Sequence, residues 1–139
     1  MTHPLTVVVL AGGESRRFGS DKLAAPLAGT TVLDHLLGSL PQEWAVIAVG
    51  EQRPTPRPLT WTREYPPGGG PLAGIAAGLA LVTTDLTAVV AGDMPYAVPG
   101  LRTLVDALAA AGPDTAAAVA VDDEGHTNPL LAVYRTTAA

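Results

Sequence analysis

Two short stretches carry residue types suited to phosphate chemistry. The first, "LAGGESRRFGSDK", runs from Leu10 to Lys22 directly after the apolar run "LTVVV". It holds Arg16, Arg17 and Lys22, three of the chain's 8 Lys and Arg residues, among glycines and serines. Gly12 and Gly13 lack side chains, so their N–H groups can approach a ligand closely, and successive N–H groups in a tight turn make a concavity for anions. Arg17 and Lys22 can add cations to phosphate oxygens. An ordinary turn with solvated charges would have the same composition, but the convergence of glycines with cations favours phosphate binding. The spacing is that of neither common phosphate loop. Ser20 and Asp21 separate Gly19 from Lys22, and there is no G-x-G-x-x-G, which argues against an ATPase or an NAD enzyme. The second stretch, "GDMP", Gly92 to Pro95, ends another apolar run. A carboxylate at Asp93 can hold Mg2+ against triphosphate oxygens, or it can simply cap the next turn.

The elements that must position these residues follow from periodicity. Thr6 to Ala11, Ala45 to Val49 and Thr87 to Ala91 are continuous apolar runs, the pattern of strands buried on both faces. Shorter strands are predicted over Leu59 to Thr62, Thr115 to Val121 and Leu130 to Tyr134. Helical spacing runs over Thr31 to Leu40, Leu72 to Val82 and Val98 to Ala111; the second is built of small residues suited to close packing on a sheet, and Pro99 sits in the first turn of the third. Glu51 to Pro58, with its three prolines, and Glu64 to Pro71 read as irregular surface connections, and "DDEGH" as a turn. Strands alternating with helices imply βαβ units and an α/β fold whose mostly parallel sheet is covered on both faces. Ligands bind such sheets beyond the carboxyl ends of the strands. Both motif loops leave a strand at that end, so they face one site if their strands are neighbours.

The 139 residues suit one domain, 1–139, and 47% hydrophobic against 15% charged residues supports a core, built of Ala, Val and Leu because only 4% are aromatic. A net charge of −5 argues against broad nucleic-acid binding, which needs a basic face, but not against a small anion on a local basic loop. The chain has no cysteine, hence no disulfide, thiolate zinc site or Cys nucleophile. "MTHPLTVVVLAGG" lacks a basic leader and its apolar run is too short for a membrane span, so a cytoplasmic protein is expected. His3, His35 and His126 read as structural or solvated.

The first stretch resembles the signature of the MobA-like nucleotidyltransferases, L-A-G-G-x-S-x-R-[MF]-G-x-D-K. Its fixed positions are filled by Leu10, Ala11, Gly12, Gly13, Ser15, Arg17, Phe18, Gly19, Asp21 and Lys22. "GPLAGIAAGL", Gly70 to Leu79, resembles the family's second element and "GDMP" its metal-binding turn, in the family's order. The resemblance implies a three-layer Rossmann-like nucleotidyltransferase fold. It further implies transfer of GMP from GTP to molybdopterin bearing molybdenum, with pyrophosphate released, Mg2+ as cofactor, and molybdoenzymes or their chaperones as further partners. Arg17, Lys22 and Asp93 take the catalytic roles. Leu10, Ala11, Gly12, Gly13, Lys22, Glu64 and Asp93 contact the nucleotide, and Asp93 is the metal ligand. In such a transfer the attacking group is a phosphate, largely ionised at neutral pH because its second pKa is about 6. No strong general base is then needed, which fits a chain without an obvious Ser–His–Asp set.

This chain departs from the family pattern in four places. Glu64 stands where the family often has Asp before its second glycine-rich element. Gly50 precedes Glu51 where a polar residue is common. The later "HPL" element appears as "HTNPLLAVYR". Family members usually continue through a further helix, strand and closing helix, so elements of the fold could be missing after Ala139. Cytidylyltransferase or sugar-phosphate nucleotidyltransferase activity on the same fold, or a nucleotide-binding module without catalysis, are the alternatives. CTP-using relatives tend to show "LAAG" where Gly12 gives "LAGG". Loss of that methyl near the expected base edge, with the Leu10–Gly13 backbone reading guanine, leads to an expected preference for GTP.

Overall fold

The computed structural model describes residues 4–12, 22–64 and 70–138. Its elements in chain order are β1 (Leu5–Leu10), a small hairpin of β2 (Pro26–Leu27) and β3 (Thr30–Thr31), α1 (Val32–Ser39), β4 (Ala45–Val49), β5 (Thr60–Thr62), α2 (Gly70–Leu79), β6 (Leu86–Ala91), α3 (Val98–Ala111), β7 (Ala117–Val121) and β8 (Thr127–Arg135). Six strands form one sheet in the order β5-β4-β1-β6-β8-β7. β5, β4, β1 and β6 run parallel, while β8 is antiparallel to both β6 and β7. The two strands that end in the candidate loops, β1 and β6, are therefore neighbours.

The alternation of side chains along β1 divides the core. Leu5, Val7 and Val9 pack with Leu33, Leu36 and Leu37 of α1 and Leu101 and Leu108 of α3. Val8 and Leu10 turn to the other face, against α2. The result is the three-layer α/β arrangement that alternating strands and helices imply. α2 lies close to the sheet because its inner face is glycine. A Cβ on Gly74 would fall 3.2 Å from Leu10 Cδ2, and one on Gly78 only 2.5 Å from Val8 Cγ1.

Three local features differ from expectation, each for a physical reason. The segment after Lys22 contains the β2–β3 hairpin, whose turn residues Ala28 (φ 50) and Gly29 (φ 83) both have positive φ, the type I′ pattern that matches strand twist. Ala28 is a non-glycine residue in that region, so the turn carries little local signature. The final strand begins at Thr127, earlier than Leu130, although Pro129 falls inside it. The β7 ladder is irregular there, passing from Val119↔Ala132 to Ala120↔Asn128. A proline without N–H is tolerated at such a break, and the next N–H, of Leu130, is taken by Asn128 Oδ1 at 3.0 Å. The proline-rich connection before β5 is more than a surface strap. Arg57 donates through Nη1 to the carbonyls of Leu40 and Pro41, each at 3.1 Å, and through Nη2 to Trp44 O at 2.8 Å. It thereby satisfies carbonyls where α1 ends and the chain turns into β4.

The "DDEGH" segment is a turn, as expected. Asp122 Oδ1 accepts the N–H groups of His126 and Glu124, each at 2.9 Å. The His126 N–H bond is the chief cause that holds the Asp122 carboxyl below the ordinary carboxylate range. A depressed folded pKa means that this turn is favoured above the unfolded carboxyl pKa and loosens as pH falls through the lower folded value. An NMR titration should find Asp122 below the ordinary carboxylate range, and Asp122→Ala should abolish the low-pH loosening of the hairpin.

Close packing of α2 makes a sharper prediction. Gly→Ala in a helix is ordinarily stabilising by roughly 0.5–1 kcal/mol. At Gly78 the methyl meets the fully buried, β-branched Val8, so Gly78→Ala should instead destabilise by about 1–3 kcal/mol. Chemical unfolding of the variant checks the sign.

Candidate active site

The carboxyl end of β1 is gripped from both sides. Ala11 N–H donates to Val49 O and Leu10 O accepts the Gly92 N–H, both at 2.8 Å; on the outer side Gly50 N–H donates to Thr62 O, also at 2.8 Å. The register places Leu10 level with Val49 on one side and with Ala91 on the other. The chain leaves β1 for α1 on one face, and returns from β5 to β6 through α2 on the opposite face. β1 is thus the topological switch point, where α/β sheets open a crevice for ligands.

Three glycines let the backbones converge there. A Cβ on Gly50 would lie 2.7 Å from Ala11 O and 2.9 Å from Gly12 N, and its φ of 150° is one that side chains rarely adopt. A Cβ on Gly12 would lie 3.1 Å from Gly50 Cα. Glycine at position 12 therefore serves the close approach of two strand ends. A Cβ on Gly92 would sit 3.0 Å from Leu10 O and 3.3 Å from both Leu23 Cδ2 and Leu33 Cδ1.

That last packing joins the two motifs. Lys22 opens a short 3-10 turn, Lys22–Ala24, whose Leu23 is buried against Gly92, the residue before Asp93. Lys22 and Asp93 thus each adjoin one buried contact. Asp93 is exposed in a turn closed by Met94 N–H to Ala91 O at 3.1 Å, followed by Ala97 N–H to Met94 O at 3.2 Å. Leu10 is half-buried, Ala11 buried and Gly12 exposed at the lip. Gly13 and Arg17 lie outside the described residues. Glu64 is not brought to Asp93. It follows β5 at the outer edge of the sheet, three strand spacings from β6, or about 14 Å.

Two features of the site were missed from sequence. Gly50 was noted only as a departure, although a glycine directly after an apolar run, with Gly12 after another, is a readable sign of two strand ends meeting. His35, read as structural, packs its ring against Tyr96 in the Asp93 loop at 5.1 Å and 67°. His126 lies 3.3 Å from Asp122 Oδ2 within its own turn, as expected of a turn residue.

The residues present fit Mg2+. Asp93 offers a hard, solvent-accessible oxygen donor at the mouth of the crevice, and Mg2+ is commonly held by one or two carboxylates with substrate phosphates and water supplying the rest. Among the described residues no group of three or more His, Asp or Glu side chains converges into a dedicated cage. That donor set suits an ion brought together with a phosphate-bearing substrate.

A parallel sheet with its switch point at β1, covered by helices on both faces, is the nucleotide-binding α/β class. The chain matches the model of the MobA-like NTP transferase domain over residues 7–139; it belongs to that family and is a nucleotidyltransferase. A protein of Mycobacterium tuberculosis H37Rv named probable molybdenum cofactor guanylyltransferase is 42% identical to it over 147 residues, covering 99% of this chain and 71% of that protein. One of the same name from Chloroflexus aggregans is 34% identical over 137 residues, covering 94% of this chain and 65% of that protein. The crystal structure of molybdopterin-guanine dinucleotide biosynthesis protein A from Archaeoglobus fulgidus superposes with a TM-score of 0.70 at 27% identity, over 95% of this chain and 68% of that one. Among the described residues no helix is long and apolar enough to cross a membrane.

The convergence of strand ends predicts a local and severe effect. Gly50→Ala must move the Ala11–Gly12 backbone, and should cost about 1–3 kcal/mol of stability. Gly38→Ala, where no atom lies within 4 Å of the added Cβ, should leave the protein at least as stable. Thermal unfolding of the two variants side by side makes the comparison.

Proposed function

We propose that the protein transfers GMP from GTP to molybdenum-bearing molybdopterin and releases pyrophosphate. The observation that carries this reading is the packing of Leu23 on Gly92, which sets the Lys22 turn beside the Asp93 turn at the switch-point crevice. The relatives named molybdenum cofactor guanylyltransferase support the choice of nucleotide and acceptor. A terminal phosphate oxygen of the acceptor attacks the α-phosphorus of GTP. The bond from that phosphorus to the bridging oxygen of the β-phosphate breaks, and its electron pair leaves with pyrophosphate. The attacking phosphate is already ionised near neutral pH, so the protein's task is to bring anions together and to stabilise charge on the leaving group.

Backbone N–H groups after β1, Lys22 and Arg17 bind the triphosphate in this reading. Asp93 would hold Mg2+, which supplies charge neutralisation at the phosphate oxygens. Leu10, Ala11 and Gly12 run along the base, where backbone groups can pair with the guanine edge. A base lacking matching groups leaves buried partners unpaired at about 1–3 kcal/mol each. Glu64, at the far edge of the sheet from Asp93, serves the nucleoside end of the nucleotide in this reading. The cytoplasm and the partnership with molybdoenzymes or their chaperones belong to the same proposal.

Pyrophosphate release from GTP, measured with Mg2+ and molybdenum-loaded molybdopterin, tests the reaction. GTP should be bound in preference to CTP by roughly a hundredfold, the size of two lost pairings; equal titration of both would move the protein to a cytidylyltransferase or general nucleotidyltransferase. Lys22→Ala should weaken GTP binding by roughly tenfold to a hundredfold, the scale of one charge-assisted phosphate contact. Asp93→Asn keeps the shape of the side chain and should abolish most transfer while leaving the unfolding midpoint nearly unchanged. Full activity in Asp93→Asn would remove the carboxylate from the mechanism.

A further inference from the structure

Tyr96 is an exposed aromatic residue, 66% accessible, in a protein with few aromatic side chains. Its ring does not enter the core. It stands against the ring of His35, with centroids 5.1 Å apart and planes at 67°, an edge-to-face geometry. His35 belongs to α1, and Tyr96 lies three residues after Asp93. On the other side of Asp93, Gly92 is packed on Leu23 and on Leu33 of α1. The Asp93 turn is thus held at two points, before and after the carboxylate. Both holds reach the same stretch of chain, the one that begins with Lys22 and continues into α1. The first is buried and formed by packing alone. The second is at the surface and formed by a single pair of rings.

We propose that the Tyr96–His35 ring pair is a positioning device for Asp93, fixing the carboxylate relative to the Lys22 turn. The inference rests on the reading of Asp93 as a metal-binding carboxylate. Neither ring touches the reacting atoms. With the pair broken, the turn keeps the Gly92 packing, its Met94 N–H to Ala91 O bond and the buried Ala97, but it loses the ring contact to α1, and Asp93 spends part of its time displaced. The ring, and not the Tyr96 hydroxyl, does this work, because the contact joins two ring systems. An edge-to-face aromatic pair corresponds to roughly a threefold to tenfold effect on an equilibrium.

The test measures Mn2+ binding by electron paramagnetic resonance, in the presence of a non-hydrolysable guanosine triphosphate analogue, together with turnover under saturating and limiting Mg2+. Tyr96→Leu and His35→Ala should each weaken Mn2+ binding about threefold to tenfold and raise the half-saturating Mg2+ concentration alike, with analogue affinity at saturating metal within about twofold of the parent. Tyr96→Phe should restore both measures. The double variant should be no worse than either single one, since both remove the same contact. Parent-like Mn2+ binding in Tyr96→Leu overturns the inference, as does a loss that Tyr96→Phe fails to restore. If the parent binds Mn2+ with the analogue but transfers no GMP, the proposed reaction fails while the binding comparison still decides the role of Tyr96. If the parent binds no Mn2+, Asp93 is not a metal position and the inference falls with it.

Discussion

The structure depends most on the double hydrogen bonding of the end of β1. Leu10 and Ala11 are tied to β6 on one side and to β4 on the other, through the Gly92 N–H and Val49 O bonds. These bonds carry the parallel register to the last residue of the strand, so three segments leave the sheet side by side, each one strand spacing from the next. At such a convergence a side chain at position 50 would collide with the Ala11–Gly12 backbone, and one at 12 or 92 would be tightly crowded; glycine occupies all three positions. The N–H groups of Ala11, Gly50 and Gly92 are all donated to carbonyls of the neighbouring segments, so they fix the strand ends and leave anion binding to the loops that follow.

The remainder of the fold holds this end in place. Val8, Val9, Val89 and Val90 are fully buried, so the two central strands cannot slip without exposing apolar surface. α2 packs its glycine face with Gly74 near Leu10 and Gly78 near Val8, which directs the start of the helix toward the crevice end of β1. A helix start carries partial positive charge, and here it adds to the same anion-favouring end of the sheet. At the opposite end, Thr87 Oγ1 bonds Thr136 Oγ1 at 2.9 Å and Thr136 Oγ1 donates to Thr84 O at 2.6 Å. The motif loops leave the sheet at one end of its strands, and hydroxyl bonds pin the other.

Much of this was legible in the sequence. Continuous apolar runs gave the central strands, the small-residue pattern of α2 gave its close packing, and both motif loops were expected at carboxyl ends of strands, though not that those strands are neighbours. What was not legible depended on pairing between distant segments. Gly12 and Gly50 each follow an apolar run, but which strand ends meet depends on the sheet order, so the close approach of Gly12 to Gly50 was not read beside the base-side role expected for Gly12. Arg57 looked like a charge in a surface connection because its carbonyl partners lie 13 to 17 residues away. Pro129 suggested a later strand start, since the irregularity that accommodates it depends on β7. Glu64 and Asp93 were both expected at the nucleotide, and only the strand order shows that they stand at different positions along the sheet.

The central claim is that the crevice at the end of β1 holds a triphosphate between the Lys22 turn and Asp93. A crystal structure with GTP and Mn2+, with the metal located by anomalous scattering, tests it most directly. The account predicts triphosphate density over the Leu10–Gly12 backbone and an Mn2+ peak between Asp93 and the phosphate oxygens. Nucleotide bound elsewhere on the sheet, or a metal peak away from Asp93, would contradict it.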